Sequence, residues 1–179
     1  MFVDNQRVDA ALAYSGAVYL FCDDQYVRYS GPSYEFVDEG YPRRVRPNWN
    51  TLEKIGQVPD GLPLPITAVA VGRRPNGTSD DVYFFGGNQF AGPGGVLDDI
   101  KAQWARVRNN IERAGVVDAA MLDGNGRMYL FSGDQYYRYS APDQTFVDET
   151  YPRRLAGNWV QEVPGYSLPD TFTGGISAA

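Results

Sequence analysis

Histidine is absent from this chain of 179 residues. That zero excludes a Ser-His-Asp triad, a histidine-bearing zinc site and bis-histidine haem ligation together. Cysteine is almost unused: Cys22 stands alone, so neither an intramolecular disulfide nor a thiolate cluster can form. No run approaches the ~18 apolar residues of a membrane-spanning helix. Basic residues are the minority, with 16 Lys and Arg against 22 Asp and Glu for a formal charge of -6. The pairs Arg43-Arg44, Arg73-Arg74 and Arg153-Arg154 are too short and scattered to form the basic surface that a nucleic-acid backbone requires. The first residues, MFVDNQRVDA, lack the basic stretch and apolar core of a secretory signal. An intracellular protein, a leaderless export route and an already removed leader all remain open.

What the chain does have is aromatic side chains and turns: 13 Tyr and 9 Phe among 20 Gly and 12 Pro, the texture of short β-strands. It also repeats itself. YLFCDDQYVRYS (Tyr19 to Ser30) returns as YLFSGDQYYRYS (Tyr129 to Ser140), and FVDEGYPRR (Phe36 to Arg44) as FVDETYPRR (Phe146 to Arg154), both at an offset of 110. VDAA recurs at Val8 and Val117. Between them VYFFGGNQF (Val82 to Phe90) keeps the same skeleton, preceded by ITAVA at Ile66 and followed by Trp104 in the place of Trp49 and Trp159. The units therefore start near Val8, Ile66 and Val117, and ISAA at Ile176 looks like a fourth start. Repeats of about 8–65, 66–116 and 117–175 result, with 176–179 beginning another. The Ser132 that replaces Cys22 in the later copy marks Cys22 as a tolerated small residue.

Within a unit, AVYLFCDDQYVRYS places two apolar-aromatic runs around a polar turn, the pattern of a β-hairpin. Period-two alternation puts Tyr26, Arg28 and Ser30 on one face and Val27 and Tyr29 on the other. FVDEGYP is read as a fourth extended segment turning at Pro42. The middle unit departs from this scheme. AGPGG follows Phe90, and the equivalent of YVRYS is lost or shortened. DDIKAQWARVRNNIERAG then reads as a helix capped by Asp98 or Asp99, with Ile100, Trp104, Val107 and Ile111 on one side. NGTSDD at Asn76 to Asp81 reads as a surface loop. Units of this length, each a small sheet that cannot bury both faces alone, fit blades stacked around an axis, with the small-residue strands innermost.

The motifs resemble the hemopexin-like repeat family. Asp9-Ala10, Tyr19-Leu20-Phe21, Asp23-Asp24, Tyr26-Val27-Arg28-Tyr29, Tyr41-Pro42 and Trp49 carry the likeness in the first copy. Asp118-Ala119, Tyr129-Leu130-Phe131, Gly133-Asp134, Tyr136-Tyr137-Arg138-Tyr139, Tyr151-Pro152 and Trp159 carry it in the last. The resemblance implies an all-β, hemopexin-like β-propeller, here with three full blades plus the first strand of a fourth. Family members close a four-bladed ring, often with a disulfide that this chain cannot make. A fragment of a longer protein, a partner chain completing the ring as a homodimer, and a tolerated open ring all stay open.

The resemblance further implies an extracellular or secreted protein, with a cytoplasmic one as the alternative. It places repeat-start residues at a central channel. There Asp9, Thr67, Asp118 and Ser177 form an oxygen-only set suited to Ca²⁺ or Na⁺ and not to softer metals. The bland alternative is that Asp9 and Asp118 simply orient their strands. Arg28 and Arg138 are expected to brace a blade by pairing with a carboxylate. Tyr19, Phe21, Trp49, Phe85, Trp104, Tyr129, Phe131 and Trp159 are expected to pack the blades. The alternative is a haem- or metal-binding or storage protein, and haem, held through tyrosine in place of histidine, is its disfavoured form. The acidic pairs Asp23-Asp24, Asp80-Asp81, Asp98-Asp99 and Asp148-Glu149 give a paired-carboxylate hydrolase little support, because adjacent residues in turns cannot set the separation that chemistry needs. The expectation is a binding module, not an enzyme, recognising a protein, a glycan or a small cationic ligand, and suited to a domain of a secreted toxin or adhesin.

Overall fold

The computed structural model describes residues 7–73, 80–104, 110–141, 144, 146–164 and 168–177. Three four-stranded antiparallel sheets follow one another along the chain. The first holds β1 (Ala10–Tyr14), β2 (Ala17–Cys22), β3 (Gln25–Tyr29) and β4 (Arg43–Arg44). The second holds β5 (Ala68–Arg73), β6 (Asp80–Gly86), β7 (Gln89–Ala91) and β8 (Leu97–Asp99). The third holds β9 (Ala119–Leu122), β10 (Met128–Ser132), β11 (Gln135–Tyr139) and β12 (Arg153–Arg154). Every sheet is a meander with strands in chain order. The duplicated hairpins share one register, Phe21 opposite Tyr26 and Phe131 opposite Tyr136. The polar residues between their strands form the turn, and Asp23 and Gly133 occupy it with φ of 53° and 55°.

Strand alternation decides how the sheets stack. Ala10, Leu12, Tyr19, Phe21 and Tyr26 point from one face of the first sheet into a core that also takes Val69, Val71, Val82 and Phe84 from the second. The other face of the second sheet sends Ala68, Ala70, Phe85 and Phe90 into the next core, where Met128, Leu130, Tyr137 and Tyr139 of the third sheet meet them. A tryptophan closes each core: Trp49 stands 5.6 Å edge-on to Phe84, and Trp104 stands 5.6 Å from Tyr139. A third core behind the last sheet gathers Ala119, Tyr129, Phe131, Tyr136 and Trp159. The small first strands β1, β5 and β9 together line a cavity of about 530 Å³ between the sheets. Alanines at 10, 11, 68, 70, 119 and 120 permit that convergence.

Four sequence expectations need correction. FVDEGYP is not a strand; the fourth strand is the Arg pair that follows it, and Phe36 is 79% exposed. The cause is Asp38, whose carboxylate accepts the Ser30 N–H and the Arg28 guanidinium, holding the segment at the end of β3 and not along its edge. Asp98-Asp99 lies in β8, paired with β7, before serving the helix: Asp99 Oδ1 accepts the Lys101 N–H at the start of Ile100–Gln103. A second short helix spans Asn110–Ala114, and the middle of that expected helix lies outside the described residues. Asp80 and Asp81 belong to β6 and not to a loop, while residues 76–79 lie outside the described residues. Finally, Ile176–Ser177 forms no strand among the described residues, which offer it no second strand to pair with.

Candidate functional site

Each repeat opens with a residue whose backbone N–H is donated to the phenylalanine carbonyl of its own second strand: Asp9 to Phe21, Thr67 to Phe85, Asp118 to Phe131, at 2.8, 2.8 and 2.9 Å. This shared bond sets the three starts at the same height in their sheets. They line one opening of about 320 Å³ together with Gly133, Gly174, Gly175, Ile176 and Ser177. The structure therefore brings Asp9, Thr67, Asp118 and Ser177 to a single mouth. Gly175, at φ 158°, turns the chain into it and passes close to the Gly133 carbonyl.

The carboxylates there also have local work. Asp9 Oδ2 accepts the Asp23 N–H and Asp118 Oδ2 accepts the Gly133 N–H, both at 2.7 Å, so each acid fastens the hairpin turn of its own sheet. Arg7 donates to Asp9 Oδ1 at 2.5 Å and to Asp23 Oδ1 at 2.7 Å, neutralising that side of the rim. The Thr67 hydroxyl donates to the Val117 carbonyl at 2.8 Å and ties the second sheet to the third. Asp9, Cys22 and Asp23 also lie close enough to share an ion, but the guanidinium of Arg7 already holds both carboxylates. Cys22 is buried, and its sulfur lies 3.9 Å from Asp23 Oδ2.

The most elaborate polar arrangement was not legible beforehand. Glu53, 3% exposed at its side chain, accepts hydroxyls from Tyr19 and Tyr26 at 3.2 and 2.9 Å, and from Tyr41, with Arg28 at 3.4 Å. Glu162, equally buried, accepts from Tyr129 and Tyr136, both at 3.2 Å, and from Tyr151, with Arg138 and Arg153 at 3.0 and 3.3 Å. Arg28 and Arg138 each complete the arrangement with a 2.5 Å bond to Asp38 and Asp148. Burial by itself raises the Glu53 carboxyl, yet the hydroxyls of Tyr41, Tyr26 and Tyr19 and the Arg28 charge outweigh it and hold the pKa below the ordinary carboxylate value. Glu162 is lowered by the same balance. The tyrosines respond in the opposite sense: burial first, then the adjacent carboxylate, pushes Tyr19 and Tyr129 up to about 12. Among the described residues the second sheet carries no such cage. Phe90 replaces the central tyrosine, and its core of Phe85, Phe90 and Trp104 is carbon against carbon.

A signal for the cages did exist. Each copy places a glutamate within one helical turn after its tryptophan, but the spacing is four residues in one copy and three in the other. No fixed offset connects them. Both cages are fully subscribed by their own side chains, and they act as braces between a hairpin and the segment that follows it.

The hemopexin family model matches residues 8–54 and 117–161, together half of the chain. The chain belongs to the hemopexin family. Sequence comparison with curated proteins gave no match. Among solved structures, the chain is similar to the hemopexin fold protein CP4 from cow pea, with 21% identity, 96% of this chain and 76% of that one covered, and a TM-score of 0.66. It is also similar to a plant lectin with two metal binding sites from Cicer arietinum, at 17% identity, 89% and 73% coverage, and a TM-score of 0.60. A plant albumin from Cicer arietinum showing hemagglutination is similar at 15% identity, with 89% and 73% covered and a TM-score of 0.61. Likeness at these identities establishes the shared fold. No described helix is long and apolar enough to cross a membrane.

Proposed function

We propose that this hemopexin-family chain is a binding module without catalytic chemistry, and that its three sheets are propeller blades around a channel whose mouth takes a hard cation or a small cationic ligand. One observation carries this reading: Asp9, Thr67, Asp118 and Ser177, far apart in sequence, line the same opening. Their donors are oxygens alone, which suits Ca²⁺ or Na⁺ and excludes a thiolate- or imidazole-selective metal. Asp9, Thr67, Asp118 and Ser177 would surround the cation, and its charge would offset Asp118, since Arg7 already compensates Asp9. The net charge of -6 favours a cation over an anion at any such mouth. Similarity to a lectin with two metal binding sites supports metal binding, and similarity to a hemagglutinating albumin keeps a glycan as the second class of ligand.

Against an enzyme stand the absent histidine and the way the buried carboxylates are used. Glu53 and Glu162 are saturated by tyrosine and arginine donors, so neither is free to move a proton to a substrate. Calorimetric titration of the chelator-treated protein with CaCl₂ and with NaCl tests the reading, with Asp118→Asn as the comparison. The asparagine oxygen still accepts the Gly133 N–H, while the charge is gone. A saturable heat in the native chain, weakened about tenfold or more in Asp118→Asn, is expected, because affinity in such sites follows ligand charge. No saturable heat with either salt would sink it.

A further inference from the structure

The two acidic sides of the mouth are built alike but charged differently. Asp9 and Asp118 hold equivalent places, each accepting the N–H of its own hairpin turn at 2.7 Å. On the Asp118 side that turn residue is Gly133, and Val116 stands two places ahead of the aspartate, so neither position carries a charge. On the Asp9 side both do: Asp23 stands in the place of Gly133, and Arg7 in the place of Val116. The repeat is thus an internal control. One copy carries an added acid and an added base together, and the other carries neither.

The added base is aimed at the acids. Arg7 Nε donates to Asp9 Oδ1 at 2.5 Å, and Nη2 donates to Asp9 Oδ2 at 3.2 Å and to Asp23 Oδ1 at 2.7 Å. The ligand atoms of Asp9, Cys22 and Asp23 lie within 4.8 Å of one another, and the guanidinium bridges the two carboxylates among them. The Arg7 side chain is 51% exposed and that of Asp23 is 45% exposed, and an ion pair so open to water contributes little to stability. What the guanidinium does change is the charge that a cation meets at the rim. A fixed charge acts on an arriving ion in proportion to that ion's own charge.

We propose that Arg7 is a tethered counter-ion that sets which cations the mouth takes, disfavouring divalent ions more than monovalent ones. This rests on the cation reading of the mouth given above and adds to it a residue that limits the binding. Asp118 faces an ion with its full charge, whereas Asp9 and Asp23 already share theirs with the arginine. Without that guanidinium all three carboxylates would act on the ion. Because the interaction scales with the product of the charges, removing Arg7 favours Ca²⁺ by twice the free energy by which it favours Na⁺. The gain in Ca²⁺ affinity is then the square of the gain for Na⁺.

The test is calorimetric titration of the chelator-treated native chain, Arg7→Gln and Arg7→Lys, each with CaCl₂ and with NaCl at one ionic strength held by tetramethylammonium chloride. Melting temperatures confirm that the variants are folded. A unit charge removed near the protein surface places the expected gain in Arg7→Gln at roughly tenfold for Ca²⁺ and roughly threefold for Na⁺. Arg7→Lys keeps the charge and loses the planar fork, and should stay within about twofold of native. Saturable binding in the native chain with the same affinity in Arg7→Gln overturns the role of Arg7 and leaves the cation reading standing. Binding by Arg7→Gln alone supports that role and means that the native mouth is closed to cations by its own arginine. No saturable heat in either chain overturns both. A gain shared by Arg7→Lys, or one equal for the two ions, assigns the effect to the shape of the side chain and not to its charge, which also overturns the proposal.

Discussion

Replacing Glu162 by Gln keeps the shape of the side chain and removes its charge. Five donors converge on the native carboxylate: the hydroxyls of Tyr129, Tyr136 and Tyr151, and the guanidinium groups of Arg138 and Arg153. A hydrogen bond to a charged acceptor contributes about 1.5–3 kcal/mol and one to a neutral acceptor about 0.5–1.5. Roughly 1 kcal/mol lost at each donor would sum to about 5, but donors sharing one acceptor are not additive. Arg138 also keeps its 2.5 Å bond to Asp148, and both arginines are about a quarter exposed, so neither is stranded as a buried charge. The expected loss is therefore about 2–4 kcal/mol, below the ~3–5 of a buried pair broken outright. For a domain of this size that lowers the melting temperature by roughly 4–16 °C.

The assay is thermal unfolding followed by tryptophan fluorescence at pH 7 and again at pH 3, with the exposed Glu149→Gln as the control. Glu149→Gln should lie within about 0.5 kcal/mol of native. At pH 3, below the ordinary glutamate value of 4.5, residue 162 is protonated in the unfolded chain, so the advantage of its native charge shrinks and the gap between Glu162→Gln and native should narrow. A gap below 0.5 kcal/mol at pH 7, or one that persists undiminished at pH 3, would refute the cage as a brace.

Three further outcomes follow from the same geometry. Stability should fall on both sides of a broad plateau: Glu53 and Glu162 are lowered from 4.5, so their contribution is present above that value and fades as pH drops through the folded pKa. Tyr19, Tyr41 and Tyr129 are raised from 10.0 to about 12, so theirs is complete below 10 and lost as pH rises toward 12; urea midpoints across pH read both limbs. Gly86→Ala would set a Cβ 2.0 Å from the Pro63 carbonyl oxygen, which belongs to the backbone and cannot swing away. A loss of about 1–3 kcal/mol by urea unfolding is expected, and an unchanged midpoint would mean the Pro63 segment is looser than described. The Cys22 thiol, 1% exposed, should resist a thiol reagent in the native protein and react at once in urea; rapid native labelling would contradict its burial.

How far the sequence foretold this structure depends on whether the cause was local. The hairpins were readable because each is a continuous stretch with its turn inside it, and the repeat supplied a second copy as a check. The convergence of Asp9, Thr67 and Asp118 was readable because the repeat assigns them equivalent positions. β4 and β12 were not readable: two residues carry no periodicity, and Asp38 and Asp148 divert the more strand-like segment before them. β8 was hidden because Leu97–Asp99 pairs across a glycine-rich loop while its sequence flows into a helix. The glutamate cages were hidden for another reason. Their partners come from strands and loops up to 34 residues away, and the differing distance from each tryptophan erases the motif.

The central claim is that the repeat starts hold a cation. Crystals of the native chain soaked in TbCl₃, a Ca²⁺ substitute with strong anomalous scattering, test it most directly. One anomalous peak among Asp9, Thr67, Asp118 and Ser177, displaced by excess CaCl₂, is the predicted result. Peaks only on exposed surface carboxylates, with none in that mouth, would contradict it.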